Sequence, residues 1–383
     1  MNSPLFKFIP VLDYYKLLVP DNGEIEKQKF KTSWNNQEKY NPQHIYSALS
    51  EKNYEDVEIQ IQVHKAQNPI LDIFVDLFSK ISNVLASLQQ HNYIRVTSLT
   101  GELFGDVKEF DLQKLIDLQK LSQTKIAVFG ANQTNQSYTG AELVIKFQDK
   151  INEYDLSDWA IEQDPKRLSD VTIDASNKKI IINPARKISE VELTRLLEHE
   201  IKGHIFQGEN SSNYDLYQDL FSCYLGNEQQ SEGFALFVEV NNLDDLVFWN
   251  IINRYTIFMI TNHIALTNDF YRTFSFIFDI SNDFELSYLA ALRSKRGFED
   301  TSNIGCFQKE NSYLIGLTKV INLALNQPEK LEQIKALKFP LGYGDLFFDL
   351  NNASVKYDPI DLIVTHKLSV NLKVLQNVII LTD

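Results

Sequence analysis

The alternation of apolar and polar positions along the chain predicts a mostly helical protein with a short β-rich insert. Residues 11 to 90 read as helices separated by polar turns. Pro69 stands just before Leu71-Asp-Ile-Phe-Val-Asp-Leu-Phe78, and apolar positions continue at Ile81 and Val84 with the spacing of one helix face. Tyr93 to Leu99 reads as a short strand, Gly101 to Gly105 as a turn, and Leu112, Leu115 and Leu118 as a further helix. The polar run Asn132 to Ser137 reads as a loop.

The pattern changes near Asp170. Val171-Thr-Ile173 and Lys179-Ile-Ile-Ile182 are β-rich runs joined by Ala175 to Lys178 as a hairpin, and Pro184 closes the second run. Ser189 with Glu192 three residues later is a capping-box pattern. Leu193, Leu196, Leu197 and Ile201 then follow at helical spacing, so a strand–turn–helix unit leads into His199. Glu232 to about His263 is strongly apolar and helical, Phe284 to about Leu292 forms another helix, and Ile363-Val364 and Val378 to Leu381 read as strands. The expected fold class is α+β, mainly helical, with a small β-sheet preceding the helix that carries His199. Residues 1–90 form a helical N-terminal region and residues 91–383 the remaining domain.

Composition narrows the function classes. The 383 residues are 44% hydrophobic, enough to offset chain entropy in one large or two ordinary domains. A net charge of −14 disfavours nucleic acid and anionic membrane, because phosphate contacts need clustered Lys and Arg. The N-terminus breaks its apolar run with prolines and charges, and no stretch reaches the roughly 18 apolar residues of a membrane span. Cys223 and Cys306 form no C-x-x-C pair, so a reducing, cytoplasmic setting is the expectation.

The chemistry concentrates in His199-Glu-Ile-Lys-Gly-His204. Two neutral imidazoles on one helix are good zinc ligands, and Glu200 between them can take a proton from the attacking water. Histidines four residues apart lie roughly 40° apart around an α-helix, whereas five residues give about 140°. Both can face one ion only if the turn widens into a π-type turn or unwinds near Gly203. The third ligand must come from another element. Glu232 is the first choice, with Glu228 and His263 competing, and Glu239, two turns beyond Glu232, either orients a ligand or faces solvent. Two His and one Glu would leave a coordination position open for water.

These residues resemble a known family. His199-Glu-Ile-Lys-Gly-His204 is similar to the H-E-I-G-T-H motif of the family that includes the microtubule-associated tyrosine carboxypeptidases and bacterial QEGLA-motif proteins. Ser231-Glu-Gly-Phe-Ala235 resembles its E-E-G-L-A or Q-E-G-L-A element. Arg293 to Thr301 resembles R-x-K-R-G-x-x-D-T, and Gly305 to Gly316 the G-x-F-x-K-x-x-x-Y-L-x-G element after it. Asn41-Pro-Gln-His-Ile-Tyr46 echoes an upstream P-x-F-x-Y element, with His44 where Phe would stand. The likeness spans roughly residues 40 to 325. It implies a zincin-like metallopeptidase domain, Zn2+ held by His199, His204 and Glu232, Glu200 as general base, and, in eukaryotic members, removal of a C-terminal Tyr from tubulin. Lys202-Gly203, Ser231 and Phe234 depart from the family motifs without touching the ligands.

A protein or peptide substrate with a free C-terminus must have its carboxylate bound near the metal, and the planar fork of Arg does this well. Arg296 and Lys309 are the substrate-binding candidates, with Arg293 weaker and Tyr313 a donor to the tetrahedral oxyanion. Rival expectations are a zinc endopeptidase or amidohydrolase with another substrate, and a non-catalytic metal-binding interaction protein.

Overall fold

The computed structural model describes residues 3–66, 68–130, 136–165, 167, 169–211, 220, 223, 225–341, 355–360 and 363–379. The fold is mainly helical with two small sheets, as an α+β protein should be. No helix among the described residues is long and apolar enough to cross a membrane. The chain forms two compact units. One comprises Met1–Phe6, Lys120–Ile252 and Tyr313–Asp383; the other comprises Lys7–Gln119 and Asn253–Ser312.

The first unit holds both sheets. Strand β1 (Ser137–Thr139) pairs antiparallel with β5 (Lys187–Ser189), while β2 (Ala160–Gln163), β4 (Lys179–Ile182) and β3 (Val171–Asp174) make a sheet in the order β2-β4-β3. β3 and β4 are the expected antiparallel pair, joined through a 3-10 turn that leaves Lys178 at a positive φ of 50°. Ile180 and Ile182 of β4 pack with Leu193, Leu196, Ile201 and Ile205, so the sheet supports the apolar side of the helix carrying the histidines. The opposite side of that helix meets the Glu228–Asn242 helix, which is buried along nearly its whole length.

The second unit is helical. Asn68 caps Pro69–Gln89 by accepting from the amides of Ile70 and Leu71, and Leu71, Phe74, Phe78, Ile81, Leu85 and Leu88 bury its apolar stripe. Phe30 packs edge-on against Phe270 and Phe274, with ring centroids 5.1 and 4.7 Å away. Two of the separated sequence motifs are stapled together here. The His44 amide donates to the Glu299 carbonyl at 2.8 Å, the Thr301 hydroxyl to the Pro42 carbonyl at 2.7 Å, and Gln43 bridges Asp300. Gly297, inside the second motif, has φ +80°, and a Cβ there would come within 2.7 Å of Leu88.

Four expectations need correction or fall at least partly outside the described residues. Tyr93 to Leu99 is no strand but part of a helix, Tyr93–Phe104, that also absorbs Gly101. Asn92 caps it, and Tyr93, Val96, Thr97, Thr100 and Phe104 are buried along one helical face, which outweighs the β-branched composition. Ile363-Val364 is irregular and leads into the Thr365–Gln376 helix, while Val378-Ile379 follows that helix as a turn. Residues 380–381 of the expected last strand and 132–135 of the polar loop lie outside the described residues.

Candidate metal centre

Ser189 starts the ligand-bearing helix by accepting from the Glu192 amide at 3.2 Å. The chain runs as an α-helix over Glu190–Leu197, widens to a π-helix over Glu198–Ile205, and returns to α over Phe206–Ser211. This is the distortion that a five-residue histidine spacing demands: in the π register residues five apart stack. The His199 and His204 rings stand 4.8 Å apart and nearly perpendicular. Gly203 serves close approach, since a Cβ there would lie 2.6 Å from the Ala235 Cβ on the facing helix.

Glu232 comes from that facing helix. Its Oε2 lies 3.4 Å from His199 Nε2 and 3.6 Å from His204 Nε2, and all three potential ligand atoms fall within 4.8 Å of one another. Ligands bound 2.0–2.1 Å from a tetrahedral zinc sit about 3.3 Å apart, so the spacing fits one ion. Among the described residues Glu228 and His263 stand outside this cluster; Glu228 accepts from the Gly226 amide at 3.2 Å, in the turn before its helix.

The far sides of both rings are held. His199 Nδ1 lies 2.6 Å from Glu239 Oε1, and Arg195 Nη1 donates to both Glu239 oxygens at 2.9 and 3.1 Å. Glu239 is fully buried, so the solvent-facing alternative for it fails. Ser231 Oγ lies 3.3 Å from His204 Nδ1. These bonds leave both Nε2 atoms aimed at Glu232, the arrangement in which metal-ligating histidines are oriented by a partner on the other nitrogen. Arg195 and Ser231 were invisible as site residues in the sequence, although Arg195 lies four residues before His199 and therefore about one helical turn away.

Burial dominates the electrostatics. It lowers His204, against the pull of Glu232, to about 4, so the ring is neutral near pH 7 and can donate a lone pair. It also raises Glu200 to about 7, reinforced by Glu232 and opposed by His199. For His199 burial acts downward, but the bonds to Glu232 and Glu239 outweigh it and push the ring up to about 10. Lys338, buried in the same unit, is drawn down to about 8 by burial while Cys223, Glu232 and Glu200 favour its charge.

The basic residues belong to the second unit and none is solvated. Arg293 Nη1 donates to Glu310 at 3.0 Å and its guanidinium lies 5.2 Å from the Phe258 ring centre. Arg296 approaches the same carboxylate at 3.8 Å, and Arg296 and Lys309 both lie over Tyr15, at 5.6 and 5.2 Å. Lys295 is consumed structurally, its ammonium donating to the carbonyls of Ala265, Asn268, Asn303 and Gly305 at 2.7–3.3 Å. Tyr313 is buried in the first unit, near the start of the Asn311–Asn326 helix. Cys223 and Cys306 are both buried and unbridged.

A mainly helical scaffold that brings two imidazoles, a carboxylate and a neighbouring buried acid together defines a candidate metallohydrolase. The chain belongs to the microtubule-associated tyrosine carboxypeptidase family, whose model matches residues 28–342. It is 24% identical over 206 residues to microtubule-associated tyrosine carboxypeptidase 1 of Mus musculus, covering 50% of this chain and 43% of that relative. It is 27% identical over 137 residues to MATCAP2 of Mus musculus, covering 34% of this chain and 25% of that relative. The matches thus span less than half the length of either relative.

Proposed function

We propose that this chain is a metal-dependent carboxypeptidase that removes a C-terminal residue, Tyr by analogy with the family's name, from a protein or peptide in a cytosolic setting. The observation that supports it best is the convergence of His199, His204 and Glu232 across a π-helical turn, with Glu200 buried alongside. Two imidazoles and one carboxylate suit Zn2+, and a zincin-like site layout goes with this reading. A divalent ion held there would supply a Lewis acid that acidifies water and polarises the scissile carbonyl.

The chain's own groups do the rest. Glu239, clamped by Arg195, fixes the His199 ring, and Ser231 fixes His204. Glu200 accepts the proton of the attacking water on its carboxylate and returns it to the departing amine. Tyr313 is assigned a hydrogen bond from its hydroxyl to the oxyanion. Arg296 and Lys309, with Arg293 as the weaker candidate, are assigned to the substrate carboxylate on their chemistry alone.

Glu200→Gln should keep stoichiometric zinc by elemental analysis and lower kcat at least 10³-fold, roughly the upper range of a general base's contribution. Retained turnover would remove Glu200 from its role, and absence of zinc from the wild-type protein would leave the non-catalytic alternative. Arg296→Ala should raise KM for peptides with a free C-terminus and leave their amides unaffected. Cleavage of internal bonds at equal rates would favour the endopeptidase alternative.

A further inference from the structure

The π-helical segment Glu198–Ile205 has an α-helix on each side, Glu190–Leu197 before it and Phe206–Ser211 after it. The π winding is rare and the α winding common, so contacts outside the segment must favour the wider turn. Rewinding it as α would rotate the following helix relative to the preceding one, because the two windings differ in residues per turn. A contact that ties the two flanks together therefore fixes the register between them.

Residues 356–359 make such a tie, and they lie beyond the residues 28–342 that the family model matches. At the near end, Asn242 Nδ2 donates to Glu198 Oε2 at 2.8 Å and to the Pro359 carbonyl at 3.0 Å. Glu198 is the first residue of the π-helical segment, and Asn242 is the last residue of the helix that carries Glu232. At the far end, the Tyr357 ring stacks on Phe206, with centroids 5.0 Å and planes 28° apart. Asn210, fully buried, accepts from the Lys356 and Tyr357 amides at 2.9 Å each and donates to the Tyr357 carbonyl at 2.9 Å. Only Asp358 stands between Tyr357 and Pro359, and the proline ring fixes its own φ, so the tie from flank to flank is short and stiff.

We propose that residues 356–359 are a clasp that holds the ligand helix in its π register, with Asn210, Asn242 and Tyr357 as positioning residues for metal capture. His199 and His204 converge in that register, whereas on an α-helix they would point about 140° apart. Apparent metal affinity scales with the fraction of protein in the competent register. Loosening the clasp therefore lowers affinity without altering any ligand.

This inference rests on the metal-site reading, so its test includes a readout that needs no metal. Full-length wild type and variants are compared for zinc affinity by chelator competition and, in metal-free protein, for hydrogen exchange of amides 198–206. Tyr357→Ala should weaken zinc about tenfold and speed exchange of those amides by a similar factor, as a register populated about one-tenth of the time requires. Tyr357→Phe keeps a ring on Phe206 and should match wild type. Asn242 lies at the surface, so Asn242→Ala carries the same prediction where Tyr357→Ala fails to fold. The two contacts act in series, so the double variant should bind zinc no more weakly than the weaker single variant. Leu143→Ala truncates a buried side chain of the Gly140–Glu153 helix, outside the clasp, and should lower the melting temperature without changing zinc affinity.

Unchanged exchange at 198–206 in both single variants overturns the proposal. So do additive losses in the double variant, or a loss of zinc in Leu143→Ala as large as in Tyr357→Ala. Wild type that binds zinc, with both single variants binding it equally well, removes the clasp alone. Wild type that binds no zinc, yet exchanges faster at 198–206 once Tyr357 or Asn242 is truncated, removes the metal reading and keeps the clasp.

Discussion

Burial holds the His44 imidazole neutral down to about pH 4, against the opposing pull of Glu26 and a backbone bond at Phe298. The ring is 3% exposed, with Nδ1 3.4 Å from the Tyr46 hydroxyl. An unfolded histidine titrates near 6.5, so between pH 6.5 and 4 the unfolded chain binds the extra proton. Stability from this group is therefore complete above pH 6.5 and falls as pH drops toward 4, by roughly 3 kcal/mol for a shift of that size. Phe stands at this position in the family element, and His44→Phe should remove that component. Urea midpoints at pH 7 and 4.5 should fall less for the variant than for the wild type; parallel losses would show that His44 titrates normally. Lys295 illustrates the limit of one-dimensional reading at the same scale. In sequence it is one more cation of Arg293-Ser-Lys-Arg296, and only the four carbonyls around it separate a structural ammonium from its binding candidates.

Among the elements, the helix crossing behind Glu232 governs where that ligand sits. A Cβ on Gly233 would lie 2.2 Å from the Gly316 carbonyl carbon, and one on Gly316 would lie 1.9 Å from the Gln229 carbonyl oxygen. Both obstacles are backbone, so no side-chain rotation relieves them. Ala normally favours a helix over Gly by about 1 kcal/mol, and the sign of Gly233→Ala is thus a test of the contact. Overpacking of about 1–3 kcal/mol should win, lowering the melting temperature, and the displaced Glu232 should weaken zinc binding about tenfold or more in chelator competition. A more stable variant with unchanged zinc affinity would mean the helices are not in backbone contact. The same crossing explains why Glu-Gly at 232–233 and the distant Gly316 form legible motifs: each glycine is fixed by the other. The π turn was legible too, because two ligands five residues apart are incompatible with a straight helix. Tyr93–Phe104 was not, since its threonines satisfy local carbonyls, Thr97 on Tyr93 and Thr100 on Val96, in a way that β propensity does not register. The positions of Arg195 and Ser231 depend on contacts between segments remote in sequence, which periodicity along one segment cannot reveal.

For the whole molecule, the net charge of −14 acts on substrate capture differently from the site itself. Exposed charges repel an acidic peptide over a Debye length, about 30 Å at 0.01 M salt and about 8 Å at 0.15 M. The buried cluster acts at contact distance, where mobile ions screen little. Diffusional encounter and chemistry should therefore separate by salt dependence. For a peptide rich in Asp and Glu ending in Tyr, raising the salt from about 0.01 to about 0.15 M should increase kcat/KM by a few-fold while kcat stays level, because only the approach is hindered. A Lys-rich peptide with the same terminal residue should show the reverse slope. Equal slopes for the two peptides would mean that capture is insensitive to the overall field. An acidic peptide captured faster at low salt would locate a local positive potential strong enough to override the surface.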